Sequence, residues 1–411
     1  TDRRWGTFSS LSLGWRVKQE AFLQNVDWLT EFKLRASTGI NGSNNIGSYA
    51  QYATLGTYNY SIGGAVAIGQ GAASIPNPSL HWEESKSIDF GLDFGFIKNR
   101  LTGTFELYRK NNSELLLRVP VPGDSGFQTY LTNIGEVQNQ GWEFELNSLN
   151  VKTPSFEWRT SANISHNENK VLALGPDQSK IEISNAYDAG VPFVKLEVGK
   201  PMYTIFGLKQ NGVITQADID AGGTTIGGNK LVLGDPRYVD QNGDKKINSE
   251  DRVDLGNPTP KYTWGITNSF KYKDFDLNVL VQGQNGGTVY GLTGRAIDRT
   301  GMGSVENSLN VDPAVRGNWR TSFGYQANSD WLYKSDYVSV RSISIGYNLR
   351  QALKGISRID NARLYVTGEN LLTFTNYKGF DPEVSVYGNS SDAKVANIAP
   401  GIDYGTYPQV R

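Results

Sequence analysis

Along most of the chain, apolar and polar residues alternate one by one. Ile88, Phe90, Leu92, Phe94 and Phe96 are separated by Ser87, Asp89, Gly91, Asp93 and Gly95. Successive side chains of a strand point to opposite faces, so this run predicts a strand with one apolar face and one polar or small face. The turn Lys98-Asn99-Arg100 follows. Leu101, Gly103, Phe105 and Leu107 then alternate with Thr102, Thr104, Glu106 and Tyr108, which completes a hairpin. The unit recurs at 142–146 into 156–164, at 262–270 into 275–281, and at 343–349 before Leu364 and Val366. Near the start, Leu11, Leu13, Trp15 and Val17 lead to Phe32, Leu34 and Ala36. The pattern amounts to roughly ten to thirteen strands of about 9–11 residues, the length that crosses a bilayer when tilted.

The connectors alternate in length. Lys98-Asn99-Arg100 and Lys273-Asp274 are short, whereas 39–82, 110–140, 170–261 and 283–335 are long. Long structureless loops are out of place inside a compact soluble domain. Short turns at one end and long loops at the other are the expected asymmetry of an antiparallel transmembrane β-barrel. Trp5, Trp15, Trp28, Trp82, Trp142, Trp158 and Trp264, with Tyr108, Tyr262 and Tyr347, fall near the proposed strand ends, where amphipathic rings form interfacial girdles. A soluble or surface β-protein produces the same alternation, so the pattern by itself leaves bilayer and solvent open.

Composition narrows the function classes. Net charge is -1, and Lys and Arg are spread without a dense basic run, which argues against nucleic acid. The chain has no cysteine, hence no disulfide framework, thiolate metal site or cysteine nucleophile. Mean hydropathy is -0.43, and no apolar run approaches the roughly 18 residues of a membrane-spanning helix. The first residues, Thr1-Asp2-Arg3-Arg4-Trp5, read as a strand approach and not as a signal peptide, which suggests a piece of a longer protein.

One segment carries a metal-ligand pattern. Asp240, Asn242 and Asp244 stand at positions 1, 3 and 5 of a calcium-type loop, Lys246 offers a backbone carbonyl at position 7, and Asp251 stands at position 12. Lys245 replaces the usual glycine at position 6. The expectation is possible Ca2+ in this loop, against an ion-free Asn/Gly/Asp-rich turn. Catalysis has little support. His81 and His166 are the only histidines, and neither has a second histidine or a cysteine at zinc spacing, so both read as loop-side polar residues. Glu143 and Glu145 are two apart on one strand, which places solvated charge on one face more readily than a hydrolytic carboxylate pair. The glycine-rich 222–228 lacks the ending of a phosphate loop. No catalytic residue is assigned, and the substrate-binding residues are unknown.

Several ordered segments resemble one family, the SusC/RagA-like TonB-dependent outer-membrane transporters of Bacteroidetes. They include Arg4-Trp5-Gly6 with Ser12-Leu13-Gly14-Trp15-Arg16, Phe32-Lys33-Leu34-Arg35-Ala36-Ser37, and Asn77-Pro78-Ser79-Leu80-His81-Trp82-Glu83. Asn133-Ile134-Gly135-Glu136-Val137-Gln138-Asn139-Gln140-Gly141-Trp142-Glu143 and Glu197-Val198-Gly199-Lys200-Pro201 follow. Further on stand 240–251 with Leu255-Gly256-Asn257-Pro258-Thr259-Pro260-Lys261-Tyr262, then Gly368-Glu369-Asn370-Leu371-Leu372-Thr373-Phe374 with Gly379-Phe380-Asp381-Pro382-Glu383, and last Tyr407-Pro408-Gln409-Val410-Arg411. The resemblance implies an all-β fold, with residues 1–411 the C-terminal portion of a plugged barrel of roughly 22 strands. The plug domain and the closing strand would lie elsewhere. It also implies cargo of glycan or peptide, a SusD-like lipoprotein lid, energy through a TonB complex, and contact with outer-membrane lipid. Asp89, Asp93, Glu143 and Glu145 would line the lumen, and Tyr49, Tyr52, Tyr58, Tyr60 and Tyr187 would meet cargo or lid. The alternative is a non-transport surface or soluble β-rich glycan-binding protein.

Overall fold

Ten strands follow one another across a single sheet in the computed structural model, each antiparallel to the next. The model describes residues 5–44, 49–127, 129–175, 178–184, 192–223, 228, 230–291, 327–349, 362–379, 381–383, 385–386, 399–400 and 402–403. The strands are β1 (Ser10–Trp15), β2 (Leu29–Ser43), β3 (Glu83–Phe96), β4 (Leu101–Pro120), β5 (Thr129–Lys152), β6 (Phe156–Ala173), β7 (Tyr262–Tyr272), β8 (Phe275–Asn285), β9 (Tyr337–Asn348) and β10 (Arg363–Thr375). All ten alternating segments expected from the sequence are among them. Among the described residues no helix is long and apolar enough to cross a membrane.

Register sorts the side chains. Residues directly opposite in an antiparallel pair share a face, so a cross-strand row can be followed through the sheet. One row runs Trp15, Leu34, Leu92, Phe105, Phe144, Ile164, Trp264, Gly283, Val338 and Phe374, one residue from each strand. It contains no polar side chain. Gly283 is the only small member, and a Cβ there would meet the Trp264 ring at 2.6 Å, so glycine makes room for the indole. The adjacent row runs Gly14, Arg35, Gly91, Glu106, Glu143, Ser165, Thr263, Gln284, Tyr337 and Thr375, without one aliphatic side chain.

Among the described residues the apolar face stays uncovered. Leu13, Phe90, Leu107, Ile266, Phe275, Ile345, Val366 and Phe374 are all exposed. An exposed apolar surface of this extent marks contact with another apolar phase. Aromatics border it at two levels. Toward the long connectors, Trp142 packs with His166 (6.1 Å) and Tyr262 (6.3 Å), and His166 with Tyr262 (4.9 Å). Toward the short turns, Trp158 stacks on Phe270 (5.7 Å), Trp28 on Phe96 (5.7 Å), and Phe275 meets Tyr347 (4.6 Å). Tyr262 and Tyr272 begin and end β7. Ten steps of about 3.4 Å, tilted about 40°, separate the two levels by about 25 Å, the height of an outer-membrane apolar band.

Three features differ from the sequence reading. Tyr108 leaves the girdle, because its register puts it on the polar face, where it donates to Asn167 Oδ1 at 3.0 Å. Residues 110–140 are largely strand, since β4 and β5 run on well past the apolar band. The described residues of the long connector 170–261 include a four-stranded sheet of Lys180–Ser184, Pro192–Glu197, Thr204–Leu208 and Arg252–Gly256. Val194, Ile205, Tyr290, Ala327 and Trp331, each 0–1% exposed, form its core.

Polar groups on the apolar face satisfy one another. Ser148, Thr160 and Asn268 share a row near the short turns. Ser148 donates to Asn150 Oδ1 (2.8 Å), Asn150 Nδ2 to Thr160 Oγ1 (2.7 Å), and Thr160 and Trp158 Nε1 both to Asn268 Oδ1 (2.8 and 3.0 Å). Asn150 sits at a register shift in β5, and the Arg100 guanidinium binds its carbonyl at 3.0 Å.

Face assignment predicts a sharp contrast between neighbours. Ile266→Arg, at the middle of the apolar face, costs about 2–4 kcal/mol of folding in lipid, whereas Thr267→Arg, on the polar face, costs under about 1 kcal/mol. Urea titration of the full-length protein refolded in lipid vesicles measures both, and equal penalties would remove the assignment.

Candidate functional site

The polar face is held by a charge network around Arg35. Its guanidinium binds both Asp93 oxygens (2.8–3.1 Å) and reaches Glu106 Oε1 at 2.6 Å, and Lys33 lies 3.6 Å from Asp93. The arginine crosses Gly91, where a Cβ would lie 2.8 Å from the guanidinium carbon, so the glycine lets one cation join carboxylates on two strands. Asp89 accepts from Ser37 at 3.4 Å, and Asn147 Nδ2 donates to Glu145 at 2.7 Å. Glu143 and Glu145 are exposed on this same face, directly across from Glu106 and Thr104. The expected lining residues are thus brought together. Arg35, which organises them, was not singled out from the sequence, although a lone arginine in an alternating strand opposite Gly-x-Asp is the signal that locates it.

At the long-connector end, asparagines act as clasps. Asn133 accepts from the His81 backbone N–H (3.1 Å) and donates to the carbonyls of His81 (2.9 Å) and Glu114 (2.8 Å). Asn77 donates to the Leu131 carbonyl at 2.9 Å, Glu83 accepts from the Leu116 N–H at 2.9 Å, and Leu80 is fully buried. The 77–83 segment therefore straps the extended ends of β4 and β5. A second clasp joins the four-stranded sheet to β6. Asn169 accepts from the Met202 N–H (2.6 Å), Asn257 Nδ2 donates to the Met202 carbonyl (2.6 Å), and Gly199 N–H donates to the Val171 carbonyl (2.8 Å). A cavity of about 350 Å³ lies beside it, lined by Gln138, Gln140, Asn167, Lys170, Asn257 and Lys261 among others. On β9 and β10, Arg341 donates to Asn370 Oδ1 at 2.6 Å, and Glu383 takes hydrogen bonds from Tyr337 and Arg341.

The 240–251 loop hydrogen-bonds to itself. Asp240 accepts from the N–H groups of Gly243 and Lys245 (2.7 Å each), Asn242 from Asp244 (3.0 Å), and Asp244 from Lys246 (2.8 Å). Asp251, fully buried, accepts from Gln241 and Asn248 (2.8 Å each). Lys245 takes the left-handed conformation (φ 62°) where a glycine is usual. Among the described residues no three His, Cys, Asp or Glu side chains gather to hold a metal ion. As placed, the oxygens of Asp240, Asn242, Asp244 and Asp251 accept backbone N–H groups of the turn.

The remaining candidates separate. His166 is no loop residue: β6 continues past it, its Nδ1 lies 2.6 Å from the Lys261 carbonyl, and its ring belongs to the upper aromatic level. His81 lies 3.3 Å from Glu114 on the strap. Tyr58 and Tyr60 are exposed on a hairpin of Leu55–Ile62 and Ala65–Ala72, Tyr49 and Tyr52 are exposed beside it, and Tyr187 lies outside the described residues. No Asp, Glu, Lys or Arg occurs from Ala36 to Trp82.

Known proteins share this geometry and sequence. The family model described as TonB dependent receptor-like, beta-barrel, matches residues 1–371. TonB-dependent receptor P3 of Formosa agariphila is 32% identical over 423 residues, covering 100% of this chain and 41% of that protein. TonB-dependent receptor SusC of Bacteroides thetaiotaomicron is 30% identical over 432 residues, covering 99% of this chain and 39% of that protein. A solved structure of the RagAB peptide transporter superposes with a TM-score of 0.78 at 22% identity, covering 100% of this chain and 43% of that one, a likeness of fold. The chain spans about two fifths of the length of these curated relatives.

Two outcomes follow from the long-connector end. Asp251→Ala strands two part-buried N–H groups and destabilises the four-stranded sheet by about 1–3 kcal/mol. Proteolysis within 240–251 reports it as faster cleavage in the variant than in the wild type. The second outcome concerns pH. Burial pulls the Lys195 amine down, but hydrogen bonds to Asp254 and Glu197 outweigh it and hold it above its ordinary value. Burial pushes Asp254 up, but Lys195 and Lys200 outweigh it and hold it below the usual carboxylate range. A raised amine stabilises at pH below its unfolded value of about 10.4, and a depressed carboxylate stabilises above about 3.9. Hydrogen-exchange protection of Thr204–Leu208 therefore falls below pH ~4 and above pH ~10. In the Lys195→Met/Asp254→Asn variant both losses shrink.

Proposed function

Because the chain belongs to the TonB-dependent receptor-like β-barrel family, we propose that it walls part of an active importer for bulky nutrients, glycan oligosaccharides or peptides. The chain is an outer-membrane β-barrel segment, and its family comprises receptors and transporters, not enzymes. Import through such a wall draws energy from a TonB complex and works with a SusD-like surface lipoprotein as lid.

The observation that carries this reading is the pair of ten-strand rows, one wholly apolar and one wholly polar or small. A soluble glycan-binding protein has no use for an outward face of exposed Phe, Leu, Ile and Val bordered by two aromatic levels. An importer needs that face against lipid and the other against a water-filled path. Among the described residues β1 and β10 each keep one edge without a strand partner. Each unpaired backbone group would cost several kcal/mol in hydrocarbon. Further strands of a longer protein, together with a plug, complete the barrel in this reading.

Cargo meets the long-connector end first. Exposed Tyr49, Tyr52, Tyr58 and Tyr60 offer flat rings for stacking on sugars or peptide side chains. The Arg35 network then gives the wall fixed charge. Relatives are described as SusC and as a peptide transporter, so both cargo classes are tested together.

In its native host the full-length protein is expected in the outer-membrane fraction and soluble only with detergent. Deleting its gene, or depleting TonB, abolishes uptake of a fluorescent oligosaccharide or of a fluorescent peptide. A protein soluble without detergent, or a deletion that alters neither uptake, contradicts the proposal.

A further inference from the structure

We propose that the outward face of β3 to β6 carries a seat for a phosphorylated glycolipid of the outer leaflet. The inference goes beyond nutrient import and rests on that face meeting the bilayer. There the chemistry changes row by row toward the long connectors. Phe105, Phe144 and Ile164 are apolar, and Leu107, Trp142 and His166 form the aromatic level. Arg109, Gln140 and Glu168 come next, followed by Asn111, Gln138 and Lys170. A groove of about 440 Å³ follows these steps, from Ile88, Phe90 and Leu107 at the apolar end past Trp142 to Arg109, Gln140 and Glu168. A second hollow adjoins it across Gln140 and Glu168 and brings in Lys170 and Lys261.

Charge decides the occupant. Glu168 faces His166 at 3.5 Å, and Glu84 faces Lys86 at 3.5 Å. Among the described residues Arg109, Lys170 and Lys261 have no carboxylate within ion-pair distance. Arg109 is positioned instead by the buried Gln138, whose amide oxygen lies 2.8 and 3.0 Å from guanidinium nitrogens once oriented toward them. A neutral amide orders the arginine without cancelling its charge. Three cations without an ion-pair partner, against Glu168 as the one carboxylate lining both hollows, therefore leave a positive excess just above the aromatic level, where headgroups lie. Phosphate meets that charge with paired donors from arginine, and sugar hydroxyls suit the neighbouring amides. The apolar groove below takes an acyl chain. A free phosphate leaves the groove unfilled, and a zwitterionic lipid brings its own ammonium to cations already in excess.

The test melts the full-length protein, purified in a nonionic detergent, with lipopolysaccharide, with phosphatidylcholine or with inorganic phosphate. Lipopolysaccharide is expected to raise Tm by about 3 °C or more, and the other two by less than about 1 °C. Arg109→Ala/Lys170→Ala/Lys261→Ala loses most of that rise, while Arg109→Lys keeps it. An equal rise with phosphatidylcholine or inorganic phosphate, no rise with lipopolysaccharide, or a full rise in the triple variant overturns the seat. The readout is lipid binding, so its failure leaves uptake untouched, and a failure of uptake leaves the melting shift standing.

Discussion

Inside hydrocarbon a backbone N–H or C=O finds no partner except another strand, and the rest of this structure depends on that constraint. It forces each crossing strand into continuous antiparallel pairing with its neighbours. Continuous pairing fixes register, and register fixes which face each side chain takes. A slip of one residue would turn Phe105, Phe144 and Ile164 into the lumen and Glu106, Glu143 and Ser165 into lipid. Register shifts occur where side chains can absorb them. Asn150 at the shift in β5 joins a closed hydrogen-bond chain, and Asn370 at the shift in β10 adopts a left-handed conformation and accepts from Arg341.

This dependence explains what could be read from the sequence. Alternation is legible where one face meets lipid and the other water, so all ten strands showed themselves in their bilayer portions. Above the apolar band both faces meet polar surroundings and alternation vanishes. Asn111, Asn112, Ser113 and Glu114 look like a loop yet continue β4, and Gln138, Asn139 and Gln140 lie within β5. The four-stranded sheet was invisible for the opposite reason. Thr204–Leu208 is buried on both faces and only five residues long, too short to separate from loop.

The motifs were legible as signals but not as jobs. Asp240, Asn242, Asp244 and Asp251 have the oxygens of a calcium loop, and the same oxygens at the same spacing accept turn N–H groups. Asn77, Asn133 and Asn257 lie within the family-like segments, and together with Asn169 they prove to be the joints that anchor connectors to strand ends. Their geometry is general to a barrel that carries large outer structures. The exposed hairpin tyrosines lie outside the motifs, where residues can vary without loosening a joint. Fold therefore resides in the paired rows and clasps.

The central claim is that adjacent residues of one strand face lipid and water in strict turn. These 411 residues contain no cysteine, which allows a direct measurement: single cysteines at each position 262–272 of the full-length protein, freed of any cysteine elsewhere, in lipid vesicles, spin-labelled and probed by oxygen and by a water-soluble nickel complex. The account predicts oxygen access at 264, 266, 268 and 270 and nickel access at 263, 265, 267 and 269, alternating at every step. Access that is uniform along the strand, or that follows a helical period, would contradict it.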